Sequence, residues 1–195
     1  MNTSSILTRR AIRACAIALT AAAAALGGTA AAHASTGGSY WEDGYYVSLD
    51  TQAHWITASY DGLNVAVADG SQYAGTRLIQ WYNDGAAEQK WYFDQVYDAD
   101  GGFEGYLLRN ENSGQCMSTD GRAGDSVFQE ACNPALLTER FWHYGSPGTN
   151  NSFQNRYTGL YLDVSGGGYG AGTNIDLWYS NNHGNQTFWV SNVNS

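Results

Sequence analysis

Positive charge is the scarcest property of this sequence. Nine of its 195 residues are Lys or Arg, against 18 Asp or Glu. Arg9, Arg10 and Arg13 fall at the N-terminus, so residues 35–195 hold six basic residues against all 18 acidic ones, a difference of −12. A surface of that sign repels phosphate backbones and anionic headgroups, which argues against nucleic-acid and membrane-surface partners. Cysteine is nearly as scarce: after Cys15 only Cys116 and Cys132 remain. Without a further Cys or His at ligand spacing the pair makes no zinc site. In an exported chain it reads as a disulfide, the alternative being two free thiols. After residue 34 no window holds a sustained apolar period of 3.6 residues, which argues against helical architecture. His54, His143 and His183 stand in no Ser/His/Asp, His-x-x-x-His or Cys/His arrangement, the patterns that nucleophilic or metal chemistry requires. Carboxylate pairs such as Asp98 and Asp100 are common in so acidic a chain, and nothing places two of them across a cleft. Catalytic residues, metal and cofactor are therefore all expected to be absent.

The N-terminal residues read as an export signal. Arg9, Arg10 and Arg13 form a basic segment, the stretch from Ala14 to Leu26 is rich in Ala, and Ala32-His33-Ala34 is a small-x-small cleavage site. The apolar stretch is too short for a membrane anchor. Residues 1–34 are thus expected to be a signal peptide, leaving a secreted, extracellular chain with enough residues for one domain. Residues 35–51, with Tyr40, Trp41, Tyr45 and Tyr46, match nothing downstream. They are expected to pack loosely on the domain or to be a linker remnant.

Repetition organises everything after that. Glu88-Gln89-Lys90-Trp91-Tyr92-Phe93, Thr138-Glu139-Arg140-Phe141-Trp142-His143 and Asn185-Gln186-Thr187-Phe188-Trp189-Val190 are versions of one segment. The shared aromatic falls at Trp91, Phe141 and Phe188, 50 and 47 residues apart. A period of this length marks supersecondary units that bury a core only together. Leu78-Ile79-Gln80-Trp81-Tyr82 also lies over Ile175-Asp176-Leu177-Trp178-Tyr179 without a gap. Within each unit, short runs rich in aromatic and β-branched residues alternate with Gly, Asn, Asp and Ser, the pattern of strands and turns. Three units of roughly four short strands predict an all-β protein with a β-trefoil fold, because propellers typically need at least four blades. The domain is expected at 52–193, with repeats at about 52–99, 100–147 and 148–193. The shared aromatic should fill the core, and the glutamine amide should satisfy backbone groups at the adjoining turn.

Gly159-Leu160-Tyr161-Leu162-Asp163-Val164, the Gly-rich loop after it, Ile175-Asp176-Leu177-Trp178 and Asn185-Gln186-Thr187-Phe188 resemble one subdomain of the ricin B-type lectin family. These are β-trefoil sugar-binding modules with Gln-x-Trp repeats, and the resemblance spans residues 52–193. It implies a shallow site in the third repeat for a galactose-, arabinose- or xylose-type sugar. In that site Asp163, Asn185, Gln186 and Asn181 read hydroxyls, Gly166 lets backbone approach the sugar, and Trp178 stacks on the ring. The chemistry suits the residues: a carboxylate and an amide bind vicinal hydroxyls, and an indole face covers the apolar side of a pyranose. Asp163 and Trp178 are both expected to face solvent.

The other repeats depart from the pattern. Ala66 takes the place of Asp163 in the first repeat, and Glu88 that of Asn185, although Trp81 and Gln89 remain. In the second, Ser118, Glu130 and Glu139 replace Asp163, Trp178 and Gln186, and Cys116 and Cys132 lie where family members often have a disulfide. The first repeat should therefore bind weakly or not at all, and the second should be structural. The expected partner is an extracellular or cell-surface glycan. Taken singly, Trp178 reads as core, Asp163 as a turn cap, and Asn185 and Gln186 as a clip on the barrel. Two further functions stay open: a β-trefoil that binds or inhibits a protein, through residues 40–46 and 133–137, and a glycan-active enzyme.

Overall fold

In the computed structural model, which describes residues 37–146 and 148–193, the short apolar runs become strands, and the described residues contain no α-helix. The expected signal peptide lies outside the described residues. No described helix is long and apolar enough to cross a membrane. A hairpin of β1 (Ser39–Glu42) and β2 (Tyr45–Ser48) comes first. The first repeat follows with β3 (His54–Ala58), β4 (Asn64–Val67), β5 (Leu78–Trp81) and β6 (Lys90–Tyr97). The second comprises β7 (Phe103–Asn110), β8 (Cys116–Ser118), β9 (Phe128–Glu130) and β10 (Arg140–Tyr144). The third has β11 (Asn150–Asn155), β12 (Tyr161–Val164), β13 (Ile175–Trp178) and β14 (Phe188–Asn192).

The outer strands of each repeat close a six-stranded antiparallel barrel. β3 pairs β6, β6 pairs β7, β7 pairs β10, β10 pairs β11, β11 pairs β14, and β14 returns to β3. Closure removes the exposed edges that an open sheet would present. The inner strands form three hairpins, β4–β5, β8–β9 and β12–β13, which cap one end. Each hairpin hooks onto the next. Gly75 donates its N–H to Gln129 O, Gly124 to Leu177 O, and Gly172 to Gln80 O, each at 2.8 Å. This is the β-trefoil arrangement.

Trp91, Phe141 and Phe188 are fully buried in one cluster, as the shared aromatic requires. Trp91 also donates its indole N–H to Val65 O at 2.9 Å, tying the barrel to its cap. The adjoining glutamines clip the turns. Gln89 Nε2 donates to Tyr82 O and Gln186 Nε2 to Tyr179 O, both at 2.8 Å. In the second repeat, where Glu139 stands, its Oε2 accepts Asn133 N–H at 2.8 Å and its Oε1 is buried without a partner. Cys116 and Cys132 are joined by a disulfide across 16 residues, with Cα atoms 4.9 Å apart. A loop of this size gives about 3 kcal/mol in the chain-entropy account.

The N-terminal extension is not loosely packed. Asp43 and Gly44, at φ 48° and 84°, make the turn of β1–β2; positive φ at both positions is what a tight primed hairpin turn demands. β2 then pairs β6, with Tyr46 opposite Tyr97 and Val47 opposite Val96. Val47 is buried with Val96, Leu107 and Cys116 in a second apolar cluster outside the barrel. The Arg140 guanidinium lies 4.5 Å from the Tyr45 ring centre. The extension is thus an added pair of strands on the barrel wall.

Candidate functional site

Strand alternation builds the site in the third repeat. Leu162 and Val164 of β12, with Ile175 and Leu177 of β13, point into the core and are fully buried. The other face carries Tyr161, Asp163, Asp176 and Trp178, because successive side chains in a strand oppose one another. The register sets Asp163 opposite Asp176 and Tyr161 opposite Trp178. A one-turn 3-10 segment, Ser165–Gly167, follows β12 with Gly166 at φ 62°. That left-handed conformation is natural to glycine, and the equivalent Asp69 of the first repeat adopts it at φ 56°. First-repeat residues hold the loop beyond it: Gln80 Nε2 donates to Gly168 O and Gly170 O at 3.0 Å, and the Tyr60 hydroxyl to Gly168 O at 2.6 Å.

A second turn, Gly184–Gln186, brings the amides to the carboxylate. Asn185 Nδ2 donates to both oxygens of Asp163 at 2.8 Å, Gln186 Nε2 to Oδ2 at 2.8 Å, and Asn181 Nδ2 to Oδ2 at 3.3 Å. Gln186 Oε1 in turn accepts Asn181 N–H at 3.0 Å, so the amides brace one another. All six residues expected from the sequence meet here. Asp163, Gly166, Trp178, Asn181 and Asn185 line one pocket of about 490 Å³, and Gln186 supports it from behind through Asp163. One expectation changes: Trp178 is 44% exposed, but Asp163 only 2%. Its amide partners enclose it, so it forms the floor of the pocket rather than an open surface.

Burial governs the charge of that floor. Withdrawal from water raises the Asp163 pKa to about 6, the nearby Asp176 carboxylate adds to the rise, and the amide hydrogen bonds oppose it. The carboxylate is thereby a strong acceptor short of solvent, which favours any ligand that brings O–H donors.

Two contributors were missed by reasoning from the sequence. Asp176 lines the pocket, its pKa is raised by burial, and its Oδ1 is buried without a partner. The signal was available, since Ile79 stands at the same place in the first repeat and an acid among apolar equivalents is out of pattern. Gly124 comes from the second repeat. A Cβ there would stand 3.2 Å from the Trp178 ring, so its bare backbone backs the indole. No spacing within the third repeat reveals a contact from another repeat.

The first repeat holds a reduced version of this site, about 160 Å³, with Ala66 and Ile79 on the floor and Glu88 beside Trp81. It lacks the carboxylate floor. The described residues contain no group of His, Cys, Asp and Glu able to hold a metal.

The profile of the ricin-type beta-trefoil lectin domain-like family matches residues 39–130 and, in an overlapping register, residues 87–178. A comparison with curated proteins finds no match. The fold is shared with several solved structures. One is the designed threefold-symmetric protein ThreeFoil, at 20% identity over 71% of this chain and 96% of that one, with a TM-score of 0.63. Another is the exo-beta-1,3-galactanase of Clostridium thermocellum, at 20% identity and a TM-score of 0.65, where 73% of this chain covers 30% of that one. A third is the Macrolepiota procera ricin B-like lectin in complex with lactose, at 18% identity over 73% of this chain and 96% of that one, with a TM-score of 0.58.

Proposed function

The chain belongs to the ricin-type beta-trefoil lectin domain-like family, and on that premise we propose that it is a secreted, non-catalytic carbohydrate-binding protein whose working site is the third repeat. The observation that carries this reading is the floor of the pocket: a buried carboxylate gripped by Asn185 and Gln186, with the exposed face of Trp178 above it. Such a floor accepts hydrogen bonds from adjacent hydroxyls, and the indole covers the C–H side of the sugar ring. Galactose-, arabinose- and xylose-type sugars at the ends or branches of extracellular glycans are the proposed ligands. Secretion rests on the N-terminal signal pattern and agrees with the Cys116–Cys132 disulfide. The acidic balance of the chain suits an uncharged ligand.

Calorimetric titration of galactose, arabinose and xylose oligosaccharides into the protein tests the proposal. Shallow single sites bind weakly, so a dissociation constant on the order of 1 mM counts as binding. Trp178→Ala should remove it while the circular dichroism spectrum stays unchanged. Equal binding by the wild type and Trp178→Ala would place the site elsewhere, and turnover of a glycan would replace the binding reading with an enzymatic one.

A further inference from the structure

The added hairpin builds a feature that the trefoil alone lacks. Strand pairing sets Trp41 of β1 opposite Tyr46 of β2, Tyr46 opposite Tyr97 of β6, and Tyr97 opposite Phe103 of β7. Residues directly opposite on neighbouring strands share a sheet face, so four rings form one row. Their centroids are separated in turn by 5.5, 6.2 and 5.5 Å. Tyr106, 5.1 Å from Phe103, carries the row on toward the mouth of the barrel. Beside Trp41 and Tyr97 lies a pocket of about 530 Å³ flanked by Asp98 and Asp100. Ser48 lines both that pocket and a second one of about 470 Å³ at the barrel mouth, where Gln95, His54 and His143 lie. The two adjoin at Ser48 as one groove, which shares no lining residue with the third-repeat pocket.

We propose that this groove is a second carbohydrate site, which takes an extended segment of a neutral polysaccharide instead of one terminal sugar. Its form fits a linear ligand: the rings stand one per strand in a row, and two adjoining pockets lie along it. The apolar part of the row is aromatic, and aromatic faces take the C–H side of pyranoses. Ser48, Gln95, Asp98 and Asp100 beside the rings offer the donors and acceptors that hydroxyls need. Charge selects among polymers. Neither pocket is lined by Lys or Arg, and Asp50, Asp98 and Asp100 are their acidic residues. A sulfated, phosphorylated or uronate chain would meet repulsion from these carboxylates, and Arg156, which stacks on Trp142 beside Phe103, is already paired with Glu104. At the inner end the His54 ring lines the barrel-mouth pocket, with Nε2 3.0 Å from Asp50 Oδ2. With the third-repeat site, the groove would make one chain bivalent toward a branched polysaccharide, adding avidity without further contacts. The inference goes beyond the third-repeat reading and does not require it.

Affinity electrophoresis tests it, in native gels cast with arabinoxylan, galactomannan or mixed-linkage β-glucan, and with polygalacturonate as the anionic comparator. Trp41 is 62% exposed, so Trp41→Ala should keep its circular dichroism spectrum and melting temperature. Phe103→Ala provides a second probe of the row. The expected result is retardation of the wild type by at least one neutral polymer, weakened roughly tenfold in Trp41→Ala and in Phe103→Ala. Galactose titration at the third repeat should be unchanged in both. Trp178→Ala separates the two readings: retardation equal to wild type, lost on adding Trp41→Ala, supports the groove by itself, while galactose titration decides the third-repeat site. Absence of retardation in every neutral gel, equal retardation of wild type and Trp41→Ala, or equal retardation by polygalacturonate would each overturn the proposal.

Discussion

Glu139 occupies the place that Gln89 and Gln186 hold in the other repeats, and replacing it with glutamine should stabilise the protein in a pH-dependent way. The side chain is fully buried. One oxygen accepts Asn133 N–H, and the other has no partner. Burial is the main cause that lifts its pKa from 4.5 to about 8, with the Glu130 and Glu42 charges adding to it and the Asn133 bond working against it. The folded pKa is raised, so the stabilising effect is complete below the unfolded value of 4.5 and is lost as pH rises toward about 8. Near neutrality the folded chain must keep a proton that the unfolded chain releases. Between about pH 5 and pH 7.5 this costs roughly 3 kcal/mol. A glutamine cannot ionise, and its carbonyl oxygen can still accept from Asn133 N–H. Urea unfolding of wild type and Glu139→Gln at both pH values provides the assay. The variant should gain about 3 kcal/mol more over wild type at the higher pH than at the lower. A stability difference between the two proteins that stays the same at both pH values would refute the assignment of a proton to Glu139.

Three further outcomes follow from the same structure. Sugar affinity at the third repeat should rise as pH increases through about 6, where Asp163 ionises; if only the carboxylate form binds, calorimetry at about pH 5 should find affinity roughly tenfold below that at neutrality. Trp178→Ala should abolish binding at almost unchanged melting temperature, whereas Asp163→Ala should lose binding and also cost about 1–3 kcal/mol, because it strands the buried amides of Asn185 and Gln186. Phe188→Ala and Trp91→Ala should each cost about 3–5 kcal/mol in denaturant unfolding by opening cavities in the shared core, and neither side chain lines the third-repeat pocket.

The fold was legible because its determinants repeat. Trp91, Phe141 and Phe188 fill equivalent places in one core, so their period survives as a pattern in the chain. The candidate site was legible for a related reason: Asp163 and Trp178 lie on one face of one hairpin, and the turn bearing Asn185 and Gln186 is close in sequence. Features arising between units were hidden. Gly124 reaches Trp178 from the second repeat, and Gln80 and Tyr60 restrain the third-repeat loop from the first. Burial of Asp163 was also hidden, because a carboxylate ordinarily favours solvent and only the three surrounding amides make its enclosure tolerable. The N-terminal hairpin had a readable sign in Asp43-Gly44 between aromatic runs. Its docking on β6, however, depends on Val47 meeting Val96 and Leu107, which no local pattern contains.

The central claim, that the third repeat holds the sugar, is tested most directly by nuclear magnetic resonance. Galactose, arabinose and xylose oligosaccharides would be titrated into protein labelled with nitrogen-15, with the indole and side-chain amide signals followed. The account predicts saturable shifts of the Trp178 indole and of the Asn185 and Gln186 amides, with the Trp81 indole unmoved. Saturable shifts confined to Trp81, or a third-repeat set that stays still while the sugar binds elsewhere, would contradict it.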